Sequence, residues 1–222
     1  MIFSRIINAM FKFFYLFENP KTKMFIDIIN LRLRLAKEMD IPFGDYLEFG
    51  VYNGSSTKQF FRALKINKVE KKNFFLFDTF EGLPSPKGKK DKYKFWAKGT
   101  FKYSLTQLKT DLANLGLKNV KFIKGEYSKS LKNLKLKINP GIVVMDCDYF
   151  SSTKSALNYL KNNLTEGTII YFDDINTFYK NPYKGMYSAI LDFNKNNNNI
   201  GLVKCPWFSG KYNDQIYICW KN

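Results

Sequence analysis

The sequence predicts an α/β protein with a mostly parallel sheet and helices on both of its faces. Between residues 45 and 176, short apolar runs that end in acidic residues or glycine alternate with stretches of helical periodicity. This alternation is typical of consecutive strand–helix units. The length of 222 residues and the apolar content of 45% suit one large domain with an appendage and a substantial core.

Five short apolar runs are predicted to form the parallel strands. They are Tyr46–Gly50, Phe74–Phe77, Val120–Ile123, Ile142–Met145 and Thr168–Phe172. The helices predicted between them have apolar residues at helical spacing and cover Ser55–Leu64, Leu105–Leu115 and Thr153–Leu164. Ligands of such sheets bind at the carboxyl ends of the strands, so the residues that follow each run are the candidates for a site.

Two further strands are predicted near the end of the chain, over Ile200–Lys204 and Gln215–Trp220. The connection between them is rich in turn residues and leaves no room for a helix, which predicts that the two strands are antiparallel. Asn194–Asn199 is predicted to be a polar loop.

The chain begins with amphipathic segments. Residues 1–17 have apolar residues at helical spacing, but the stretch is too short and interrupted for a membrane span and no cleavage site follows it. We interpret it as a helix packed on the domain or on a second subunit, with attachment to a membrane surface as the alternative. A second helix is predicted over residues 22–38, with Arg32 off its apolar face. We therefore expect a helical appendage at 1–40 and a domain at 41–222.

The composition excludes several kinds of catalytic site. The chain has no histidine, which excludes a Ser-His-Asp triad, a histidine base and histidine-ligated zinc. Cys147, Cys205 and Cys219 lie far apart and without CxxC spacing. Neither a structural zinc site nor a disulfide framework is therefore expected, and this cysteine usage fits a reducing, cytoplasmic setting.

The net charge of +17 has two interpretations. It is typical of a protein that binds nucleic acid or an anionic membrane, and also of a lysine-rich surface without such a partner. The lysines are spread along the whole chain rather than grouped, which favours the second interpretation.

The first predicted strand ends in a glycine-containing turn. Gly50 and Gly54 allow the chain to turn sharply and let the backbone approach a ligand. Ser55 or Ser56 can cap the following helix, whose first N–H groups are free to bind an anion. The spacing departs from GxGxxG, so no NAD site is predicted, and a tight turn without a ligand is the alternative.

The second predicted strand ends in Asp78. This position lies about 20–30 residues beyond the turn, where an acidic residue commonly binds a ribose diol. A carboxylate can accept two hydroxyl hydrogen bonds side by side. The glycine turn and Asp78 together therefore predict a binding site for a ribose-containing cofactor.

Aspartates also follow the last two parallel strands. Asp146 and Asp148 come directly after one strand, and Asp173 and Asp174 come after the next. These carboxylates would repel one another at one edge of the sheet, and a divalent cation bound through oxygen ligands, Mg²⁺ or Ca²⁺ rather than zinc, would remove the conflict. Helix capping is the alternative, but one cap for each junction needs only one aspartate.

Five sequence stretches resemble the macrocin-type sugar O-methyltransferases. They are EFGVYNGSS, FLFDTFEGLP, VKFIKGEYSKSL, VVMDCDYFSSTKSAL and GTIIYFDDI, in this order. The resemblance is good over residues 44–176 and weak over 177–222. It implies a Rossmann-like methyltransferase fold, with a mostly parallel seven-stranded sheet that has one antiparallel strand. It also implies dependence on S-adenosylmethionine and on Mg²⁺ or Mn²⁺.

The resemblance implies roles for individual residues. Those expected to bind the cofactor are Glu48, Phe49, Gly50, Ser55, Ser56, Asp78, Gly125, Glu126 and Asp146. The metal ligands implied are Asp146, Asp173 and Asp174. With no histidine, the general base is a carboxylate near the metal or a lysine, and Asp148 and Asp174 are the catalytic candidates. Cys147, where family members often have glycine, and Glu126-Tyr127 depart from the family pattern.

Residues 84–101 are a dense exception to the even spread of lysines. Six lysines interleave there with Tyr93, Phe95 and Trp96. In the resembled family this region is a mobile cover over the site, and here it would contact a phosphorylated or nucleotide-linked sugar. A solvated loop and a surface for single-stranded nucleic acid are the alternatives.

We therefore predict an O-methyltransferase that modifies a hydroxyl of a sugar, of a glycan or of another diol-bearing small molecule. An RNA-modifying methyltransferase and a non-enzymatic adaptor on a membrane surface are the alternatives. The carboxylate cluster counts against both, because it would repel phosphates unless it held a metal. We expect no nucleic-acid partner, and a homo-oligomer remains open.

Overall fold

The protein is described here by a computed structural model covering residues 19–69, 72–206, 208 and 214–221. The expectations for residues 1–17 fall outside these residues, and the domain boundary at residue 40 stays a prediction. Among the described helices, none is long and apolar enough to cross a membrane.

Seven strands of the described chain form one sheet, in the order β3-β2-β1-β4-β5-β7-β6. Their bounds are Asp45–Phe49 (β1), Phe74–Asp78 (β2), Val120–Lys124 (β3), Pro140–Met145 (β4), Ile169–Phe172 (β5), Ile200–Lys204 (β6) and Gln215–Lys221 (β7). Strands β1 to β5 pair in parallel, and β7 runs antiparallel to both of its neighbours. The predicted sheet, with its one antiparallel strand, is confirmed.

Six helices of the described residues connect or cover the strands. Their bounds are Pro20–Glu38 (α1), Ser55–Ile66 (α2), Leu105–Asn114 (α3), Tyr127–Ser130 (α4), Phe150–Leu160 (α5) and Gly185–Asn196 (α6). Helix α5 begins and ends earlier than predicted: Leu164, which continues its apolar pattern, lies beyond the helix but is buried all the same.

The polar loop predicted over Asn194–Asn199 is wrong in its first half, because α6 continues to Asn196. The side chain of Asn194 also has a structural role. Its amide group donates to the carbonyl of Leu202 (2.9 Å) and accepts from the Leu202 N–H (2.8 Å), so it fixes α6 against β6.

Two apolar layers cover the sheet, one on each face. Helices α1, α2 and α3 contribute to one layer, and α5 and α6 contribute to the other. Successive residues of β1 alternate between the layers, since Tyr46 faces the first and Leu47 the second. A strand buried on both faces is apolar along most of its length, which is why the short apolar runs mark these strands so clearly.

Helix α1 is attached to the domain by Arg32, which is buried rather than exposed as its position off the apolar face suggests. Its guanidinium group donates to the carbonyl groups of Phe43 (2.8 Å), Gly167 (2.7 Å) and Pro42 (2.5 Å). Only 1% of the side chain is accessible, and this burial lowers the pKa of Arg32 to about 10. The arginine thereby ties α1 to the segments that precede β1 and β5.

Candidate active site

A cleft of about 250 Å³ opens at the carboxyl ends of the parallel strands. Its wall contains the turn after β1, the segment after β2, the start of α4 and the aspartates that follow β4 and β5. The lining residues are Gly50, Val51, Tyr52, Asp78, Thr79, Gly82, Leu83, Pro84, Phe101, Glu126, Tyr127, Asp146, Cys147, Asp148, Ser152, Asp173 and Asp174. The cleft thus lies where ligands of such sheets bind.

The turn after β1 requires glycine for close backbone packing. Gly50 has a φ of 89°, and a Cβ atom at this position would lie 1.7 Å from the carbonyl oxygen of Asp146. The Gly50 N–H donates to the carbonyl of Phe77 (2.9 Å) and therefore also joins the turn to β2. Only a residue without a side chain fits between these strand ends.

Helix α2 begins differently from the prediction that Ser55 or Ser56 caps it. The residue that precedes the helix is Gly54, which has a left-handed backbone and no capping side chain. The Asn53 side chain accepts from the Ser55 N–H instead (3.1 Å). Glycine is favoured here because the turn needs a positive φ, which the serines would adopt only with strain.

Asp78 braces the glycine turn. Its Oδ2 atom accepts from the backbone N–H groups of Val51 (2.6 Å) and Tyr52 (3.1 Å), and its Oδ1 atom accepts from that of Phe80 (2.7 Å). A carboxylate has about four acceptor positions. The Thr79 hydroxyl also lies 3.3 Å from Oδ1, although it is closer to the Gly82 carbonyl, to which it donates at 2.7 Å. At most one acceptor position therefore remains toward the cleft, so accepting two ribose hydroxyls would require Asp78 to release a backbone bond.

Three carboxylates meet in the same cleft, next to the glycine turn. Asp146, Asp148 and Asp174 each place an oxygen atom within 4.8 Å of the others. Asp148 and Asp174 have positive φ angles of 59° and 54°, a conformation that aspartate tolerates better than most residues. These local turns are what bring the ends of β4 and β5 into one group of acids, called here the carboxylate group.

Burial and mutual repulsion raise the pKa of two acids of this group. Burial, together with the neighbouring charges of Asp174 and Asp173, raises the pKa of Asp148 to about 7. Burial and the nearby Asp173 and Asp148 raise the pKa of Asp146 well above its usual range. Acids that share a site in this way are stabilised in their charged form by a cation.

Asp173 lies outside the carboxylate group, although the resemblance implies it as a metal ligand. Its Oδ2 atom forms an ion pair of 2.9 Å with Nζ of Lys21, at the start of α1. Burial alone would raise the pKa of Asp173, but the Lys21 charge and hydrogen bond lower it overall. Tyr171 donates to Asp214 beside this pair (2.7 Å), and burial together with Asp173 raises the pKa of Asp214 to about 7.

Sequence reasoning missed both Lys21 and Asp214. Lys21 is one of many lysines, and it precedes the helix predicted from residue 22. Asp214 follows a connection without regular periodicity. Neither residue has a local signal, because each reaches the site only through the packing of α1 and the pairing of β7 with β5.

The residues expected to bind the cofactor divide into two sets. Gly50, Asp78, Glu126 and Asp146 line the cleft. The others lie outside its lining: Glu48, Phe49, Ser55, Ser56 and Gly125. Their roles stay predictions.

Two of these residues have evident structural contacts. Glu48 is buried, and its carboxylate accepts from the hydroxyl groups of Tyr46 (2.6 Å) and Thr57. Burial raises the pKa of Glu48 to about 7. Phe49 stacks on Phe77 in the core, with 4.3 Å between the ring centroids.

Residues 84–101 are held against the edge of the sheet by Asp91, which the sequence reading did not single out. The Asp91 side chain is fully buried. It accepts from the N–H (2.9 Å) and hydroxyl (2.7 Å) of Ser151, in the first turn of α5, and from the N–H of Lys87 (2.7 Å). The segment is therefore attached beside the carboxylate group.

An aromatic cluster completes the attachment of this segment. Tyr93 and Trp96 contact Phe178 with centroid distances of 5.2 and 5.6 Å. Trp96 also contacts Tyr149 (5.8 Å), the residue after Asp148. The alternative of a solvated loop understates this contact, since several rings from three segments pack together.

Comparisons with known proteins agree with this arrangement. The model of the macrocin-O-methyltransferase (TylF) family matches residues 28–203. No curated protein matches the chain in sequence.

Solved methyltransferase structures share the fold. The O-methyltransferase NovP superposes with a TM-score of 0.66 at 19% identity, over 87% of this chain and 78% of that one. The calicheamicin methyltransferase CalS11 gives a TM-score of 0.65 at 20% identity, over 87% and 77%. An apo structure of CalS11, described as a TDP-rhamnose 3′-O-methyltransferase, gives 0.58 at 18% identity, over 87% and 78%.

The family match spans most of the chain and includes the turn after β1, Asp78 and the other four aspartates of the cleft. The shared fold places these residues at the strand ends where such sheets bind ligands. The chain therefore belongs to the macrocin O-methyltransferase (TylF) family and is a methyltransferase.

Proposed function

We propose that the protein transfers a methyl group from S-adenosylmethionine to a hydroxyl group of a sugar or of another small molecule with neighbouring hydroxyls, supported by Mg²⁺ or Mn²⁺. One observation carries this proposal: the carboxylate group lies in the same cleft as the glycine turn and Asp78. Family membership supports the methyl donor, and the description of CalS11 as a TDP-rhamnose methyltransferase supports a sugar acceptor.

The cleft wall near β1 and β2 fits a nucleoside cofactor in its chemistry. The turn at Gly50 exposes backbone, Asp78 keeps an acceptor position, and Glu126 and Tyr127 complete the wall. These residues would hold S-adenosylmethionine, which supplies a methyl group already activated by its sulfonium centre. Tyr127 is itself fixed by donating to the carbonyl of Phe77 (2.9 Å).

The carboxylate group fits a hard divalent cation, because it offers three oxygen donors within 4.8 Å of one another. Asp146, Asp148 and Asp174 would hold the ion. Asp173 would join them only by giving up its ion pair with Lys21. Such a cation would lower the pKa of a hydroxyl group placed beside it.

The chain's own residues then have two tasks. The apolar wall formed by Leu83, Pro84 and Phe101 limits water and orients the acceptor, since alignment supplies much of the rate of a transfer between two bound groups. Asp148 takes the hydroxyl proton. Because Asp148 and its neighbouring candidate Asp174 would also bind the ion, either can accept the proton only through a carboxylate oxygen that the ion leaves free.

The proposed function is tested with purified protein, S-adenosylmethionine and pairs of sugars that differ by one hydroxyl. A sugar with a vicinal diol should be methylated, and its singly deoxygenated analogue should lose metal-dependent turnover. Chelator should abolish activity, and Mg²⁺ or Mn²⁺ should restore it. The variants Asp146→Asn and Asp148→Asn should lose activity, whereas the surface variant Asp192→Asn should keep it.

Two outcomes would contradict the proposal. Full activity in EDTA would reduce the carboxylate group to a structural role. Tight, cofactor-dependent binding of RNA, together with methyl transfer to the RNA, would show a different acceptor class. In that case the affinity of the protein for RNA would fall steeply as the salt concentration rises.

A further inference from the structure

We propose that the methyl acceptor is anionic, namely a nucleoside diphosphate sugar whose phosphates are held by lysines beside the cleft. This inference rests on the proposed function and names its substrate class. The lysines lie on two segments, residues 84–101 and 175–184, and are called here the basic rim: Lys89, Lys92, Lys94, Lys98, Lys180 and Lys184.

The two segments leave the cleft wall directly. Pro84 and Asp174 both line the cleft, and each is the point from which one segment departs. The ring of Tyr93 packs on Phe178 (5.2 Å), so the two segments contact each other. The basic rim therefore belongs to a continuous surface next to the carboxylate group.

Charge is segregated between this surface and the cleft. The described lining residues include six carboxylates and neither lysine nor arginine. Residues 84–101 have six lysines and one acid, and residues 175–184 have two lysines and no acid. An anion is repelled from the interior and attracted to the rim, which suits a ligand with phosphates at one end and hydroxyls at the other.

Among the described residues, no ion pair uses a rim lysine, although Nζ of Lys184 lies 5.7 Å from the centre of the Phe178 ring. The ion pairs of the described residues involve other basic groups, at positions 21, 34, 58, 87, 124, 154 and 221. The acid within the rim segments, Asp91, is buried and bonded to Ser151 and to the Lys87 N–H. The rim lysines are thus available for a bound anion.

The rim is also held in place before any ligand binds. Asp91 joins residues 84–101 to α5, and the carbonyl of Lys90 accepts from the N–H of Gly185 (3.0 Å), where α6 begins. Tyr149, the residue after Asp148, donates from its hydroxyl to the carbonyl of Trp96 (3.3 Å). A surface that is already ordered loses less entropy when it binds a ligand.

Exposed aromatic rings accompany the lysines and favour a nucleoside at the far end of the ligand. Phe95, Tyr179 and Tyr183 are 64%, 95% and 75% accessible, and Nζ of Lys94 lies 4.6 Å from the centre of the Phe95 ring. A base or sugar ring stacks on such faces while a neighbouring ammonium group meets a phosphate. A nucleoside diphosphate sugar combines these groups with a sugar diol.

The test compares three acceptors that share one sugar: TDP-rhamnose, rhamnose 1-phosphate and methyl rhamnoside. KM should be lowest for the nucleotide sugar and highest for the neutral glycoside, and the difference should shrink in salt. The rim variant Lys94→Glu/Lys180→Glu should raise KM for TDP-rhamnose by at least about tenfold, with little change for methyl rhamnoside. The matched control Lys118→Glu/Lys121→Glu, on the β3 side of the sheet, should leave both values unchanged.

The outcomes distinguish failure of the basic rim from failure of the proposed function. Equal KM values for the nucleotide sugar and the neutral glycoside, or no effect of the rim variant, would overturn the inference and leave the proposed function intact. Equal use of rhamnose 1-phosphate would overturn the nucleoside part. If none of the three acceptors is methylated while S-adenosylmethionine binds, rhamnose is excluded as the acceptor sugar. Calorimetry of TDP binding to wild type and rim variant then tests the rim by itself, and equal binding overturns it.

Discussion

Asp78 offers a sharp test of how the cofactor side of the cleft is built. Replacing it with alanine removes the acceptor of three backbone N–H groups, those of Val51, Tyr52 and Phe80. Bonds of this kind to a charged group contribute roughly 1.5–3 kcal/mol each. Tyr52 is 44% exposed, so water can replace part of the loss. The two remaining bonds, from Val51 and Phe80, give an expected cost of about 3–6 kcal/mol of unfolding free energy, or a fall in Tm of roughly 6–24 °C.

The same substitution tests cofactor binding. If Asp78 also contacts the ribose, Asp78→Ala should weaken binding of S-adenosylhomocysteine by at least about tenfold, which corresponds to the loss of one hydrogen bond. Asp78→Asn keeps one acceptor oxygen for the Val51 and Tyr52 N–H groups. It should therefore lose less stability than the alanine variant while still weakening binding. Thermal unfolding and titration calorimetry measure the two effects separately.

Asp111→Ala is the matched control. Asp111 also accepts hydrogen bonds from several partners, Lys58, Tyr103 and Gln107, but it lies outside the cleft lining. The control should leave cofactor affinity unchanged. Unchanged affinity in Asp78→Ala would remove Asp78 from the cofactor site, and an unchanged Tm would refute its role as a brace of the turn.

Three further predictions concern Glu48, Arg32 and Gly50. Burial raises the pKa of Glu48 from 4.5 to about 7, so the folded state binds this proton more tightly and stability falls as pH rises from about 4.5 to 7. Glu48→Gln can still accept both hydroxyl hydrogen bonds but does not titrate. Its unfolding free energy, measured by urea titration, should therefore rise by about 3 kcal/mol relative to that of the wild type between pH 4 and pH 8. Parallel plots of unfolding free energy against pH for the two proteins would contradict this. Arg32→Met leaves the carbonyl groups of Phe43, Gly167 and Pro42 without this donor and should lower the unfolding free energy by about 3–5 kcal/mol. Arg32→Lys should recover only part of this loss. Equal urea midpoints for the wild type and the methionine variant would refute the prediction. Gly50→Ala would put Cβ 1.7 Å from the Asp146 carbonyl oxygen and should prevent folding to the native state, so a soluble variant with the wild-type melting curve would show that this packing is wrong.

The sequence alone was enough to predict the sheet and the edge at which the site lies. Strands buried on both faces are mostly apolar, so β1, β2, β4 and β5 stand out as short apolar runs, with the hydrogen-bonded Glu48 as the buried exception in β1. Parallel strands end at one edge, and this geometry is why Asp78, Asp146 and Asp174 could be expected in one place. Gly50 could be singled out because few positions other than a tight turn favour glycine.

The tertiary structure decided which neighbours these residues have. Asp173 and Asp174 are adjacent in the chain, yet one pairs with Lys21 and the other joins the carboxylate group. There are two causes. Asp174 has a left-handed backbone, with φ 54°, and Lys21, the partner of Asp173, lies 152 residues away from it along the chain. Contacts between such distant residues depend on how whole helices pack on the sheet, and a local pattern of apolar and charged residues does not contain that information.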